Sequence, residues 1–445
     1  MRRFFAAVIV LDAIASTQIA RANPADLFEL GPRAAALGGA ACAVADDSSA
    51  VYYNPAGLAR ASGLRIDLAY QYGQPLVTMN GKDSHEDAMH GFSGGLAAPG
   101  TIAGVRFAFG VAIFLPDDRL NRTRSLAFEQ PRWVEYDNRT QRVYLAAGLG
   151  VRVWKGLSVG ASLAFMARTQ GTVALTGNIS ATEPDTQSLL GSAVSVDLLS
   201  VRYPQAGVAW EVLPWLTLGA TYRHSFLLKL DQGFTIRGTV SDAGKVPVVA
   251  NGMFDARTVS TDLFQPWQLT AGAALRITRR LLLAYDLTFA RWSEFETPAT
   301  NVTVSLSLGA ALDQFVHIPP ARAFPPPGFH DILIPRLGVE WRAFDRDRIA
   351  LDLRAGYRYE PSPVPEQTGA SNYADASKHR FSLGAGLLLS RIARVLPRQI
   401  SIDAHFAVTA LPPQVNRKTD PTDPVGDFVA SGAVVEAGLG TRWGF

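Results

Sequence analysis

The chain has 445 residues, 48% of them hydrophobic and 18% charged, with a formal net charge of +3. A near-neutral chain carries no electrostatic footprint for nucleic acid, and the single cysteine, Cys42, rules out an internal disulfide. Past the N-terminus no apolar run reaches the ~18 residues of a transmembrane helix, so the length fits a few soluble domains or one large barrel.

Arg2 and Arg3 precede a run from Phe4 to Ile14 that is apolar apart from Asp12, and Ala20-Arg21-Ala22 stands before Asn23. That order fits a secretory signal over residues 1–22. Residues 23–62 show no strand pattern. Gly31-Pro32, Gly38-Gly39, Ala45-Asp46-Asp47-Ser48 and Asn54-Pro55-Ala56-Gly57 punctuate them with turns. They are too apolar to hang free in water, which predicts a plug sheltered by the rest of the chain.

Residues 63–445 alternate apolar and polar side chains in fourteen segments, near 64–73, 90–98, 104–115, 141–153, 157–170, 195–212, 216–230, 264–277, 281–293, 331–343, 348–360, 378–391, 398–411 and 432–445. In the last, Ala433, Val435, Leu439, Trp443 and Phe445 share one face, and Glu436, Gly438, Gly440 and Arg442 the other. A membrane barrel turns the first face to lipid and the second to its lumen. The links alternate too. Short ones fall near 99–103, 154–156, 213–215, 278–280, 344–347 and 392–397, and long ones near 74–89, 116–140, 171–194, 231–263, 294–330, 361–377 and 412–431. Outer-membrane barrels have short periplasmic turns and long external loops. The predicted fold is therefore all-β: a transmembrane antiparallel β-barrel of about 14 strands over 63–445, with an N-terminal hatch over 23–62 in its lumen, exported to a Gram-negative outer membrane.

Alternation places charges of both signs inside, among them Asp67, Arg106, Arg223, Asp286, Arg336, Glu340, Arg354, Arg358, Asp403 and Glu436. Buried charges need partners, so the main expectation is a network bracing wall against plug. Inward Gly110, Gly148, Gly150, Gly160, Gly272 and Gly384 leave the plug room. The loop 317–330 combines stiff Pro runs with Phe324 and Phe329, apolar groups suited to a binding groove. Gly91-Phe92-Ser93-Gly94-Gly95 matches a hydrolase elbow motif but sits in a strand pattern with no helix after it. Ser401, Asp403 and His405 share a strand face about 7 Å apart, too far for a triad. No enzyme, cofactor or metal site is predicted, and the histidines show no metal-ligand spacing.

Several stretches resemble the FadL family of outer-membrane transporters for long-chain fatty acids and other hydrophobic compounds. Leu30 to Leu58, with Asp46-Asp47 and Asn54-Pro55-Ala56, looks like the family's hatch. Thr221-Tyr222-Arg223-His224-Ser225 is similar to its "TYRS" segment, with His224 inserted. Trp292-Ser293-Glu294-Phe295 resembles "WSxF", and Glu360-Pro361-Ser362-Pro363-Val364-Pro365 resembles "DDSPVP". The resemblance implies passive uptake: external loops capture the ligand, the hatch shifts, and the ligand leaves sideways into the membrane beside a kinked third strand, here 104–116 with Gly110 as the bend. It makes Asn54, Pro55, Ala56, Asp46 and Asp47 the hatch signature. Ligand-binding candidates are Phe28, Arg223, Phe324 and Phe329. Expected partners are a long-chain fatty acid or other hydrophobic small molecule, outer-membrane lipid and lipopolysaccharide, around a monomer. Aromatic hydrocarbons of the toluene kind are the alternative cargo, and a structural or partner-binding barrel the alternative role.

Overall fold

The computed structural model describes residues 29–120, 129–136, 142–180, 189–242, 246–296, 301–308, 313, 318, 324–391, 399–421 and 423–445. The predicted signal segment and Phe28 lie outside these. The longer strands are β1 Arg65–Met79, β2 Met89–Ile102, β3 Val105–Pro116, β4 Tyr144–Trp154, β5 Leu157–Ser180, β6 Leu189–Leu213, β7 Leu216–Arg223, β8 Phe226–Asp242, β9 Val246–Gln265, β10 Gln268–Arg276, β11 Leu281–Ala290, β12 Asn301–Ser307, β13 Ile332–Arg346, β14 Ile349–Glu360, β15 Lys378–Ser390, β16 Gln399–Asn416 and β17 Phe428–Gly444.

Fourteen of them close a ring of antiparallel pairs. β1 to β7 pair in order, β7 pairs β10, β10 pairs β11, β11 pairs β13, β13 to β17 follow in order, and β17 returns to β1. A closed ring leaves no unpaired edge in lipid, where a bare backbone group would cost several kcal/mol. The tight links fit the strands they join. Ala103 and Gly104, between β2 and β3, have φ of 49° and 77°, the two positive values of a type I′ hairpin turn.

Alternation sorts the side chains as expected. Leu68, Tyr70, Phe109, Leu149, Trp210, Leu337, Phe381 and Leu439 are exposed on the outside. On the inward face Arg223, Asp286, Arg354, Arg358, Asp403 and Glu436 are buried.

One part of the expected loop region is different. The predicted seventh strand, 216–230, leaves the wall at Arg223. Beyond it the predicted loops 231–263 and 294–330 contain β8, β9 and β12. β8 runs parallel to the far half of β5, from Asp231 opposite Gln170 to Ser241 opposite Ser180, and β9 bridges β8 to β12. This external sheet depends on a non-local parallel pairing, which period-two alternation cannot reveal.

Candidate functional site

The site is the lumen, filled by residues 29–62. Pro32 opens α1 (Pro32–Ala36) and Pro55 opens a 3-10 turn, Pro55–Arg60, with α2 (Ala50–Tyr53) between them. Proline at a first helical position costs no hydrogen bond and presets φ. Asn54 caps the 3-10 turn, its Oδ1 accepting from Ala56 N at 3.2 Å. The side chain is fully buried. Its Nδ2 donates to Cys42 O and to Val208 O on β6, both at 2.9 Å. One amide thus ties the segment to itself and to the wall.

At mid-height the wall offers glycines to this segment. A Cβ at Gly150 would sit 2.7 Å from Pro55 O, at Gly219 2.7 Å from Cys42 O, and at Gly338 2.8 Å from Leu37 O. At Gly160 it would collide with Pro55 and Ala56, and at Gly207 with Asn54. Gly110 belongs to this belt: Leu58 Cδ2 and Val51 Cγ2 lie 2.5 and 2.8 Å from where its Cβ would be. Its ladder is unbroken, with Ala97 on one side and Gly148 on the other. Side-chain bonds reinforce the belt. Ser162 Oγ donates to Val51 O and Thr221 Oγ1 to Tyr53 O, both at 2.9 Å, and Asp286 accepts from Cys42 N at 2.8 Å.

Nearer the short turns the contacts become ionic. Arg33 bridges Glu340 (2.9 Å) and Asp46 (3.3 Å), Arg65 meets Asp46 (3.1 Å), and Arg442 meets Asp47 (3.0 Å). Behind them Asp403 joins Arg354 at 2.5 Å and Arg442 at 3.1 Å. Asp403 also accepts from Ser401 Oγ at 2.5 Å. A cavity of about 220 Å³ opens among Arg33, Asp46, Arg65, Glu340, Arg354 and Arg442, room for several water molecules at ~30 Å³ each.

Toward the long loops lies a second polar layer. Arg223 is 7% exposed. It donates to Tyr52 O (3.0 Å), Tyr52 Oη (3.1 Å), Gln205 and Gln268, and its guanidinium lies 3.9 Å from the Tyr52 ring centre. Glu29 takes a 2.7 Å bond from Arg358 and another of 2.7 Å from Tyr53 Oη. Arg336 donates to Thr288, while its Nε has no hydrogen-bond partner among the described residues. Above this layer the loops form an aromatic cluster. Phe329 stacks on Phe295 at 4.4 Å, meets Tyr373 edge-on at 5.7 Å, and is joined by Trp292 and Phe264. Phe324 is half-buried in the same loop. A narrow cavity of about 30 Å³ has Trp292, Ala290 and Ile334 on its wall together with Arg336, Arg358 and Glu360. A further one, about 20 Å³, continues from Arg336 to Arg223, Glu29 and Tyr52. Glu135, in an external loop, is buried beside Lys378 (3.1 Å). Burial pushes its pKa up to about 8, against the pull of Lys378.

The expected hatch residues thus meet the wall where the family-like strand residues Thr221 and Arg223 stand, and Trp292 and Phe295 enter the loop cluster. Sequence reasoning missed the importance of Arg336 and Glu29. Alternation places Arg336 inward, yet nothing in the sequence shows whether its donors are all used.

The chain matches the model of a family described as outer membrane protein transport protein (OMPP1/FadL/TodX) over residues 13–430. Alkane uptake protein A of Marinobacter nauticus is 24% identical over 294 residues, 62% of this chain and 57% of that protein. The match therefore spans little more than half of that relative's length. A FadL homologue of Pseudomonas aeruginosa shares the fold with a TM-score of 0.55 at 15% identity, covering 97% of this chain and 100% of that one. The toluene transporter TodX of Pseudomonas putida gives 0.52 at 15% identity, covering 96% and 100%. TbuX, a toluene transporter of Ralstonia pickettii, gives 0.50 at 17%, covering 94% and 98%.

Proposed function

The chain belongs to the OMPP1/FadL/TodX family of outer-membrane transport proteins, and we propose that it takes up long-chain fatty acids or similar lipophilic acids, passively and as a monomer. The observation that carries this reading is the meeting of loop aromatics and lumen arginines around a cavity of one water's volume, which must widen to admit cargo, with Arg336 Nε lacking a hydrogen-bond partner among the described residues there. An alkyl chain suits Trp292 and Ile334, and a carboxylate suits a guanidinium. Residues 23–62 act as the hatch. Ligand caught among the loops passes to the arginines, the hatch shifts, and the ligand leaves sideways into the bilayer beside β3. That exit requires Leu58 and Val51 to withdraw from Gly110. Delivery to lipid is favourable, because each CH₂ kept out of water is worth ~0.8 kcal/mol.

Aromatic hydrocarbons or alkanes are the second reading, favoured by the names of the relatives. Uptake of labelled oleate, methyl oleate, hexadecane and toluene by cells lacking their own channel separates the two. Arg336→Met should cut oleate uptake severalfold and leave methyl oleate unchanged. Equal effects on both, or uptake of hydrocarbons alone, moves the function to neutral cargo.

A further inference from the structure

Three arginines stand side by side on the inner wall. Arg336 on β13 lies directly opposite Arg358 on β14, and Arg358 directly opposite Arg380 on β15. Cross-strand neighbours have Cβ atoms about 5 Å apart, and like charges placed so repel. Arg358 and Arg380 are 4% and 1% exposed, so solvent screens them little. Carboxylates hold the row together. Arg380 is bonded to Glu436 of β17. Arg358 has Glu360 of its own strand at 3.6 Å, a carboxylate shared with Lys378 at 3.6 Å. The 2.7 Å partner of Arg358 is Glu29. Of these three carboxylates Glu29 alone belongs to the segment inside the lumen. The row still has donors to give: Arg336 Nε, Arg380 Nε and Arg380 Nη2 have no hydrogen-bond partner among the described residues.

The seat of Glu29 is built around its carboxylate. Tyr53 Oη donates to Oε2 at 2.7 Å, and Gly39 leaves room for Oε1, with which a Cβ there would collide. The backbone is strained instead. Glu29 has a φ of 60°, a left-handed conformation unfavourable for a residue with a Cβ. Its side-chain contacts hold a backbone that relaxes once they are lost. Two cavities flank the group, one of about 30 Å³ beside Arg336 and Arg358 and one of about 20 Å³ beside Arg336 and Glu29. Each has room for about one water. A second carboxylate therefore cannot enter beside Glu29; it can enter only in its place.

We propose that Glu29 is an internal stand-in for the carboxylate of the cargo: a fatty-acid headgroup takes its place on Arg358 and the neighbouring arginines, and the expelled Glu29 frees the start of the hatch. This rests on the fatty-acid reading of the same site. The exchange swaps one anion for another, so the row keeps its charge balance. A neutral hydrocarbon or ester carries no anion to exchange. Stripping Arg358 of Glu29 without replacement leaves a buried charge short of its partner, which is strongly unfavourable. Binding and hatch release are thereby one event for acids alone.

The test measures binding of labelled oleate to full-length protein in non-ionic detergent, and hydrogen exchange at residues 30–37 with oleate, with methyl oleate, or with neither. In wild type, oleate should quicken that exchange at least fivefold and methyl oleate should leave it unchanged. Glu29→Gln keeps the shape and removes the charge. It should exchange fast without ligand and bind oleate at least tenfold more tightly, because no internal anion competes. Oleate that binds wild type without quickening exchange at 30–37 overturns the proposal and leaves the fatty-acid reading standing. So does a Glu29→Gln protein that binds oleate no more tightly than wild type. Failure of wild type to bind oleate at all removes the fatty-acid reading and the proposal with it. The wild-type exchange measurement decides the matter if Glu29→Gln folds poorly.

Discussion

At mid-height the wall meets residues 37–58 backbone to backbone, through Gly150, Gly160, Gly219 and Gly338, whereas one layer nearer the short turns it meets Arg33, Asp46 and Asp47 through ion pairs. The two layers hold the same segment by opposite means. In the belt, every carbonyl that leaves its donor must find another in a space with no slack, and an unmet buried group costs ~1–3 kcal/mol. The ion pairs of Arg33 and Arg65 border a cavity large enough for water, are partly exposed, and are worth ~0–1 kcal/mol each. The proposed hatch role calls for both: close packing would fix where the segment sits, and the ionic layer would let go cheaply.

The largest effect should come from filling the belt. Gly160→Val puts side-chain atoms into Pro55 and Ala56. Overpacking a tight site costs ~1–3 kcal/mol, and here the segment can yield where the wall cannot. Limited proteolysis should cut residues 29–62 readily while the barrel stays heat-modifiable, and cells should become permeable to bulky antibiotics. Full protection of the segment would show that the belt tolerates volume. Next comes Asn54→Ala, which strips donors from Cys42 O and Val208 O. The expected loss is about 1–3 kcal/mol, read as faster hydrogen exchange in 42–58 with barrel exchange unchanged.

A smaller change is expected from Asp46→Asn in the ionic layer, where two arginines lose a partner. Stability should fall by less than ~1 kcal/mol, and uptake should rise modestly and lose its sensitivity to salt. An effect as large as that of Asn54→Ala would erase the contrast between the layers. Smallest of all is the pH response of the loops. Glu135 has its pKa raised from 4.5 to about 8, so the folded loop holds a proton that the opened loop releases. Its stabilisation is complete below about pH 4.5 and lost as pH rises past about 8. Hydrogen-exchange protection at residues 129–136, referred to the intrinsic rate at each pH, should fall from pH 6 to pH 9, and Glu135→Gln should flatten that fall.

Period-two alternation locates all fourteen wall strands, because lipid on one side and a polar lumen on the other write opposite chemistry on adjacent residues. The same rule places Gly110, Gly150 and Gly160 inward. It overlooks β8, β9 and β12, whose pairing depends on chain crossing from Arg223 to the far edge of β5. The candidate site is legible as a set of residue types and illegible as a circuit. Arg223 reads as a free guanidinium in sequence, and only the fold brings Tyr52 over it. Glu29 carries no pattern at all, yet it meets Arg358 and Tyr53.

Whether residues 29–62 must move for uptake can be asked with one substitution. Cys42 Sγ lies 3.5 Å from Thr221 Oγ1 across the gap between segment and wall, so Thr221→Cys sets two thiols in reach of a disulfide. Labelled oleate uptake is then measured in oxidised and reduced cells, with Cys42→Ser/Thr221→Cys as the control. A moving hatch predicts that oxidation abolishes uptake in the Thr221→Cys protein, that reduction restores it, and that the control ignores both. Full uptake through a barrel whose disulfide is shown to be formed would contradict the hatch.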